Sequence, residues 1–111
     1  MGFKVKYSQQ SSADLTEIIR YINDELFSPQ AAERFLNEVT RKTDLLSENP
    51  YLFPIYQDEK LVQDGYRFIA IGNYLLFYIV DDINTIVNIV RIIYGKRNIP
   101  AVFGEMGFSA Q

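Results

Sequence analysis

An α+β fold, with an N-terminal strand and a two-helix hairpin packed on a mostly antiparallel four-stranded sheet, is what three features of the sequence predict. Phe3-Lys4-Val5-Lys6-Tyr7 alternates strictly between apolar and polar residues. Two apolar stripes at helical spacing then follow, separated by Ser28-Pro29. Finally, the stretch from Tyr66 to Arg97 concentrates strand-forming residues into three runs broken by turn residues. With 111 residues, 48% of them hydrophobic, the chain is long enough for one domain with an ordinary core and too short for two.

The first strand places Phe3, Val5 and Tyr7 on one face and both lysines on the other, the pattern of a strand half in water. A helix is expected to begin at Ser11 or Ser12, which offer an N-cap oxygen, with Asp14 in capping-box position relative to Ser11. Leu15, Ile18, Ile19, Ile22 and Leu26 form its apolar stripe, while Glu17, Arg20 and Asp24 face outward. Ser28 caps and Pro29 starts a second helix, since proline at the first helical position is already in helical conformation. Its inward face is Ala32, Phe35, Leu36, Val39, Thr43 and Leu46. Asn49-Pro50 stops it, with Asn49 expected in the left-handed C-terminal conformation. Residues 51–64 lack any sustained period and read as a long loop with a short strand near Lys60–Val62.

Tyr66–Ile71 and Tyr74–Val80 flank Gly72-Asn73, a pair suited to a tight hairpin, and Asp81–Asn84 turns the chain into Thr85–Tyr94. Both faces of this meander are apolar, and one layer of helices covers only one of them. The other face is expected to be buried by the C-terminal tail, by the 51–64 loop or by another chain. The domain is expected to span residues 1–103, with residues 104–111 a flexible tail.

Composition narrows the chemistry. The chain contains no cysteine and no histidine, which removes disulfides, thiolate sites, cysteine nucleophiles and the usual general acid–base near neutral pH. Neither a metal nor a cofactor site is expected, because no metal-ligand spacing, phosphate-cradling glycine loop or catalytic triad is present. No apolar run reaches the roughly 20 residues of a membrane span, and no apolar run of signal-peptide length follows Lys4 and Lys6, so the chain is expected in the cytoplasm. What remains is a group of arginines and tyrosines on or near the sheet: Arg67, Tyr74, Tyr78, Arg91, Tyr94, Lys96 and Arg97. Cations beside a phosphodiester stabilise the charge of its transition state, and a tyrosine with a shifted pKa moves a proton. The alternative is that Tyr74 and Tyr78 are core aromatics with surface hydroxyls, and that Arg91, Lys96 and Arg97 are solvated charges at a strand end.

Taken in order, the first strand, the helix SADLTEIIRYI, the proline-started second helix, the stop at ENP, then GYR, YLLFYIV and IVRIIYGKRNI resemble the RelE/ParE family of bacterial type II toxin–antitoxin toxins over about residues 3–103. The resemblance implies a helical hairpin on an antiparallel sheet and neutralisation by an antitoxin. It offers two functions. RelE-like members are ribosome-dependent mRNA endoribonucleases that work without metal; ParE-like members poison DNA gyrase. Arg67 and Arg97 fall where the nuclease pattern carries basic residues. Leu75, Ile69 and Phe103, however, stand where it carries two further basic residues and a tyrosine. The VRIIYGKRNI ending is similar to the ParE-type RVLHGRRDI pattern, with Tyr94 where histidine is common.

The resemblance therefore implies a growth-inhibiting toxin of ParE type, with a RelE-like endoribonuclease or an inactive antitoxin-binding homologue as the alternatives. The expected site is Arg67, Arg91, Tyr94 and Arg97 for transition-state charge and proton transfer, and Tyr74, Tyr78, Lys96 and Phe103 for target or antitoxin contact. An acidic antitoxin is expected to dock on the uncovered face of the meander and reach Arg91, Lys96 and Arg97.

Overall fold

A computed structural model describes residues 2–58 and 65–105 of the chain. The elements run β1 (Lys4–Tyr7), α1 (Gln9–Arg20, extended by a π-helical turn over Tyr21–Glu25), α2 (Pro29–Glu48), β2 (Arg67–Ile71), β3 (Tyr74–Asp81), β4 (Ile86–Tyr94) and α3 (Ile99–Glu105). The sheet has the order β1-β4-β3-β2: β1 is parallel to β4, and the other two pairings are antiparallel. The mostly antiparallel four-stranded sheet read from the sequence is therefore the one observed. Its parallel pair follows from the helical hairpin, which carries the chain away from β1 before β2 begins.

The start of α1 differs from expectation. Ser8, directly after β1, is the N-cap: its hydroxyl accepts the Ser11 N–H at 2.9 Å and donates to the Val90 carbonyl at 2.9 Å, so one side chain caps the helix and ties it to β4. Ser11 is fully buried, and its hydroxyl donates to Ser8 O at 3.0 Å. Asp14 therefore lies beyond the capping box and is released for another role.

Ile18 and Ile22 are buried, but Leu26 is 55% exposed. The π turn, closed by Leu26 N–H to Tyr21 O at 3.3 Å, takes up an extra residue, so the helical stripe cannot continue in phase. Ser28 and Pro29 cap and start α2 as expected, with Ser28 Oγ accepting the Ala31 N–H at 3.3 Å. Ala32, Phe35, Val39, Thr43 and Leu46 are buried along α2, whereas Leu36 lies at the edge of the stripe, 43% exposed. Thr43 satisfies its buried hydroxyl on the Val39 carbonyl at 2.9 Å. Asn49 is extended (φ −143°, ψ 84°) rather than left-handed, because a residue preceding proline is excluded from helical backbone.

In the β2–β3 hairpin, Gly72 takes the positive φ (58°) and Asn73 does not; the β3–β4 turn places its positive φ at Thr85 (53°). β3 and β4 keep register except for a bulge opposite Phe77/Tyr78, which leaves Val90 unpaired and shifts Arg91 relative to the strand behind it.

Two cores result. Between the helices and the sheet lie Ile18, Phe35, Val39, Leu46, Ile69, Leu76, Tyr78, Val87, Ile89 and their neighbours. On the opposite face Tyr66, Phe77, Val90 and Ile93 pack with Ile99, Val102 and Phe103 of α3, joined at the margin by Tyr56 and Phe68. The meander's second face is thus covered by the chain's own C-terminal helix and by Pro54–Tyr56, which pairs along β2 through Phe68 N–H to Pro54 O (3.1 Å) and Tyr56 N–H to Tyr66 O (2.8 Å). The tail and the loop, two of the three covers expected, bury much of that face, while beside β1 a groove of about 440 Å³ lined by Lys6, Tyr7, Ile79, Asn88 and Val90 stays open on it. The helix reaches Glu105, two residues into the stretch expected to be tail. The strand expected near Lys60–Val62 and the rest of the tail lie outside the described residues.

Candidate functional site

The bulge in β4 and the early start of α1 together build a buried, three-bonded polar contact. Asp14 accepts Arg91 Nε at 2.8 Å, Arg91 Nη2 at 3.0 Å and the Ile92 backbone N–H at 2.9 Å. Both side chains are about nine-tenths buried (11% and 10% exposed). Because β1 ends opposite Ile89, the edge of β4 beyond it has no neighbouring strand, and Asp14 from α1 accepts the N–H that a strand would have taken. Arg91 is therefore not a solvated cation at a strand end. Binding a phosphate would require it to give up a bidentate carboxylate.

Arg67 lies across β3 from Arg91, whose own partner there is Phe77, and is well separated from Tyr94. It pairs with Tyr78, four residues along β3 from the Tyr74 that pairs with Tyr94, a separation of about 13 Å along the strand. Its Nη1 donates to the Phe53 carbonyl at 2.7 Å, and its guanidinium sits 5.0 Å from the centroid of the Tyr51 ring. Tyr51 in turn hydrogen-bonds Asp82. Tyr78 is fully buried and donates its hydroxyl to Pro50 O at 2.9 Å; burial pushes its pKa up to about 12, with Arg67 partly offsetting the rise. Arg67 and Tyr78 thus fasten the segment after α2. The hydroxyl expected at the surface is inside, and a phenol held that high is a poor base at neutral pH. Phe103 is likewise fully buried, its ring tilted against Tyr66 and edge-on to Phe77, so that within this fold it packs the second core.

The structure brings together Tyr74, Tyr94 and Arg97. Tyr94 is 39% exposed and meets Tyr74 at 5.7 Å with the rings at 66°, and Tyr74 meets Phe35 edge-on at 5.4 Å. Burial, with smaller contributions from Tyr21 and Tyr94, raises the pKa of Tyr74. Gly95 N–H donates to Asn73 O at 2.8 Å, which closes the strand end onto the β2–β3 turn. A Cβ at Gly95 would stand only 3.2 Å from that carbonyl, so the contact favours glycine. Arg97 N–H donates to Tyr94 O at 3.0 Å, and the turn leaves the Lys96 and Arg97 side chains exposed.

Tyr74, Tyr94, Arg91 and Arg97, with Tyr21 and Glu17 from α1, line a cleft of about 290 Å³ between α1 and the end of β4. Across Tyr21, Tyr74 and Tyr94 this cleft continues into a larger groove of about 830 Å³, bounded by Ile22, Leu26, Ala31, Arg34, Phe35 and Glu38 of the helical hairpin and by Ile71–Tyr74 of the sheet. Sequence reasoning missed this groove and the part played by Asp14. For Asp14 a signal existed: it lies one helical turn before the buried Ile18, so an acid sat on the apolar face. Tyr21 and Leu26 gave none, because the π turn that positions them has no sequence signature.

Among the described residues no group of three or more Asp and Glu side chains stands together as a metal site, and no helix is long and apolar enough to cross a membrane.

Comparison with known proteins completes the description. The family model described as ParE toxin of type II toxin–antitoxin system, parDE, matches residues 5–99. Among solved structures, the chromosomal ParDE toxin–antitoxin system from P. aeruginosa superposes with a TM-score of 0.66 at 17% identity, covering 83% of this chain and 95% of that one. The toxin–antitoxin complex RelBE2 from Mycobacterium tuberculosis gives 0.52 at 20% identity, covering 85% and 99%. The archaeal RelE–RelB complex from Pyrococcus horikoshii OT3 gives 0.56 at 19% identity, covering 87% and 99%. At these identities the likeness is one of fold. Comparison with curated protein sequences gives no match.

Proposed function

The chain belongs to the ParE toxin family of type II toxin–antitoxin systems, and from that premise we propose that it arrests growth by binding DNA gyrase, not by cutting mRNA, and that a cognate antitoxin holds it inactive in the cytoplasm. The observation that carries the choice of target is the state of the groups a nuclease would need. The sequence has no histidine or cysteine. Of the tyrosines on the sheet, Tyr78 is buried with its pKa near 12 and Tyr74 is half-buried with its pKa raised. Arg91 is committed to Asp14 and Arg67 to Phe53 O. Leu75 and Phe103 lie against or within the second core. Of the residues expected to perform phosphodiester chemistry, only Tyr94 and Arg97 are left at the surface, with the expected contact residue Lys96 beside them.

Three exposed side chains around a strand end suit recognition. Tyr94 supplies a large rigid contact, and Lys96 and Arg97 supply charge that steers an acidic surface and fixes its register. In this reading the antitoxin presents carboxylates to the same end, occupying the surface the target needs.

The test is a supercoiling assay with purified gyrase and relaxed plasmid. The chain is expected to inhibit supercoiling in a dose-dependent way, and prior incubation with the product of an adjacent small reading frame is expected to relieve it. Undiminished supercoiling at a molar excess of the chain refutes the gyrase reading.

A further inference from the structure

Between α1 and α2 the chain turns through a helix cap that its sequence does not favour. Leu26 N–H donates to Tyr21 O at 3.3 Å and Ser28 N–H to Ile22 O at 3.2 Å, so the bonds that end the helix close around Phe27, which stands in left-handed backbone at φ +51°. That place in a helix cap suits glycine or asparagine, and an aromatic side chain there is strained. Burial does not offset the strain: Phe27 is 84% exposed, packs in neither core and does not line the groove beside Leu26. A residue that breaks a local rule without compensation inside the fold points to a role outside it.

We propose that Phe27 is an anchor through which the toxin engages its target, the ring entering an apolar pocket rimmed by lysine or arginine; that the pocket lies on gyrase rests on the reading given above. Asp24 and Glu25 precede Phe27 on the tip and share a shallow cleft with Glu17, Arg20 and Tyr21, so the ring stands beside a net acidic surface. An acidic antitoxin is repelled from that surface, whereas a basic-rimmed pocket is drawn to it. Position agrees with charge. Leu26, directly before Phe27, lies along one groove with Tyr94, which places the ring at the same end of the molecule as Lys96 and Arg97. A target engaging that end meets cations at the strand end and an aromatic knob with an acidic collar at the hairpin tip. Rings that fill such pockets carry a large share of binding energy.

Phe27→Gly and Phe27→Asn keep the turn and remove the ring. Both are expected to weaken growth arrest and gyrase inhibition by about tenfold or more, with antitoxin affinity unchanged and a thermal midpoint equal to or above that of wild type. Phe27→Tyr, which keeps the ring, is expected to act like wild type, and Asp24→Lys/Glu25→Lys to weaken target inhibition without weakening antitoxin binding. A photo-reactive benzoylphenylalanine in place of Phe27 is expected to cross-link to purified gyrase and not to the antitoxin. A wild type that arrests growth without affecting gyrase refutes the gyrase reading alone, and growth arrest by the Phe27 variants then decides the anchor. The proposal is overturned if Phe27→Gly arrests growth as strongly as wild type, if it loses antitoxin affinity in step with toxicity, or if the photo-reactive chain inhibits gyrase yet cross-links only to the antitoxin.

Discussion

Replacing Asp14 by alanine removes one partner from a contact that is nine-tenths buried, and the cost follows from what is left behind. Arg91 keeps its charge without a carboxylate, and the Ile92 N–H loses its acceptor. Breaking a buried ion pair from one side costs about 3–5 kcal/mol, most of it the penalty of the stranded charge. For a domain of this size, at roughly 4 °C of thermal midpoint per kcal/mol, the expected fall is about 12–20 °C. Asp14→Ala/Arg91→Met removes both charges and is expected to recover most of the loss. The residue of about 1–2 kcal/mol is the cost of the unpaired Ile92 amide. Chemical denaturation of wild type, both single variants and the double variant closes the cycle, and a coupling energy of about 2 kcal/mol or more is expected. If Asp14→Ala costs less than about 1 kcal/mol, the value for an exposed pair, Arg91 turns freely to solvent. The argument that it is unavailable to a phosphate then fails.

Arg97→Ala is expected to weaken growth arrest and gyrase inhibition by about tenfold or more, the equivalent of one charge-assisted hydrogen bond, while Tyr94→Phe, which keeps the ring, costs little; the reverse order in a toxicity titration contradicts a binding role. Phe103→Ala is expected to destabilise the fold by about 3–5 kcal/mol, seen in denaturant melts, because the ring is fully buried against Tyr66 and Phe77. If the variant melts like wild type yet loses activity, Phe103 is a contact residue after all. Tyr78 has a folded pKa raised from 10 to about 12, so its stabilising contribution is complete below pH 10 and is lost as pH rises through 12. Tyr78→Phe is expected to be less stable than wild type at neutral pH, by about 1–2 kcal/mol for the unsatisfied Pro50 carbonyl, and to show a shallower decline between pH 10 and 12 in alkaline melts. Parallel declines would place the titration elsewhere.

Local chemistry was readable wherever it depended on neighbours in sequence. Ser28-Pro29 set the start of α2, Gly72 the hairpin, and strict alternation β1, because capping, positive φ and pleating are each decided within a few residues. Pattern also gave the two-sided meander, since apolar residues on both faces demand two covers. Which segment supplied the second cover depended on long-range packing. Ile99, Val102 and Phe103 are separated by glycines and a proline from any visible period, and only the sheet beneath them fixes α3. The site was harder still. Its residue types were visible, but whether an arginine is free or clamped depends on a partner 77 positions away, as for Arg91 with Asp14. A β-bulge and a π turn, neither marked in the sequence, decided which side chains met.

Mapping mRNA ends by toeprinting on translating ribosomes tests most directly the claim that this toxin acts by binding and not by cleavage. Addition of the purified chain, at concentrations that inhibit gyrase, is expected to leave the messages intact. Efficient cleavage in the ribosomal A site by the wild type, abolished by Tyr94→Phe in a variant that remains folded, would contradict it.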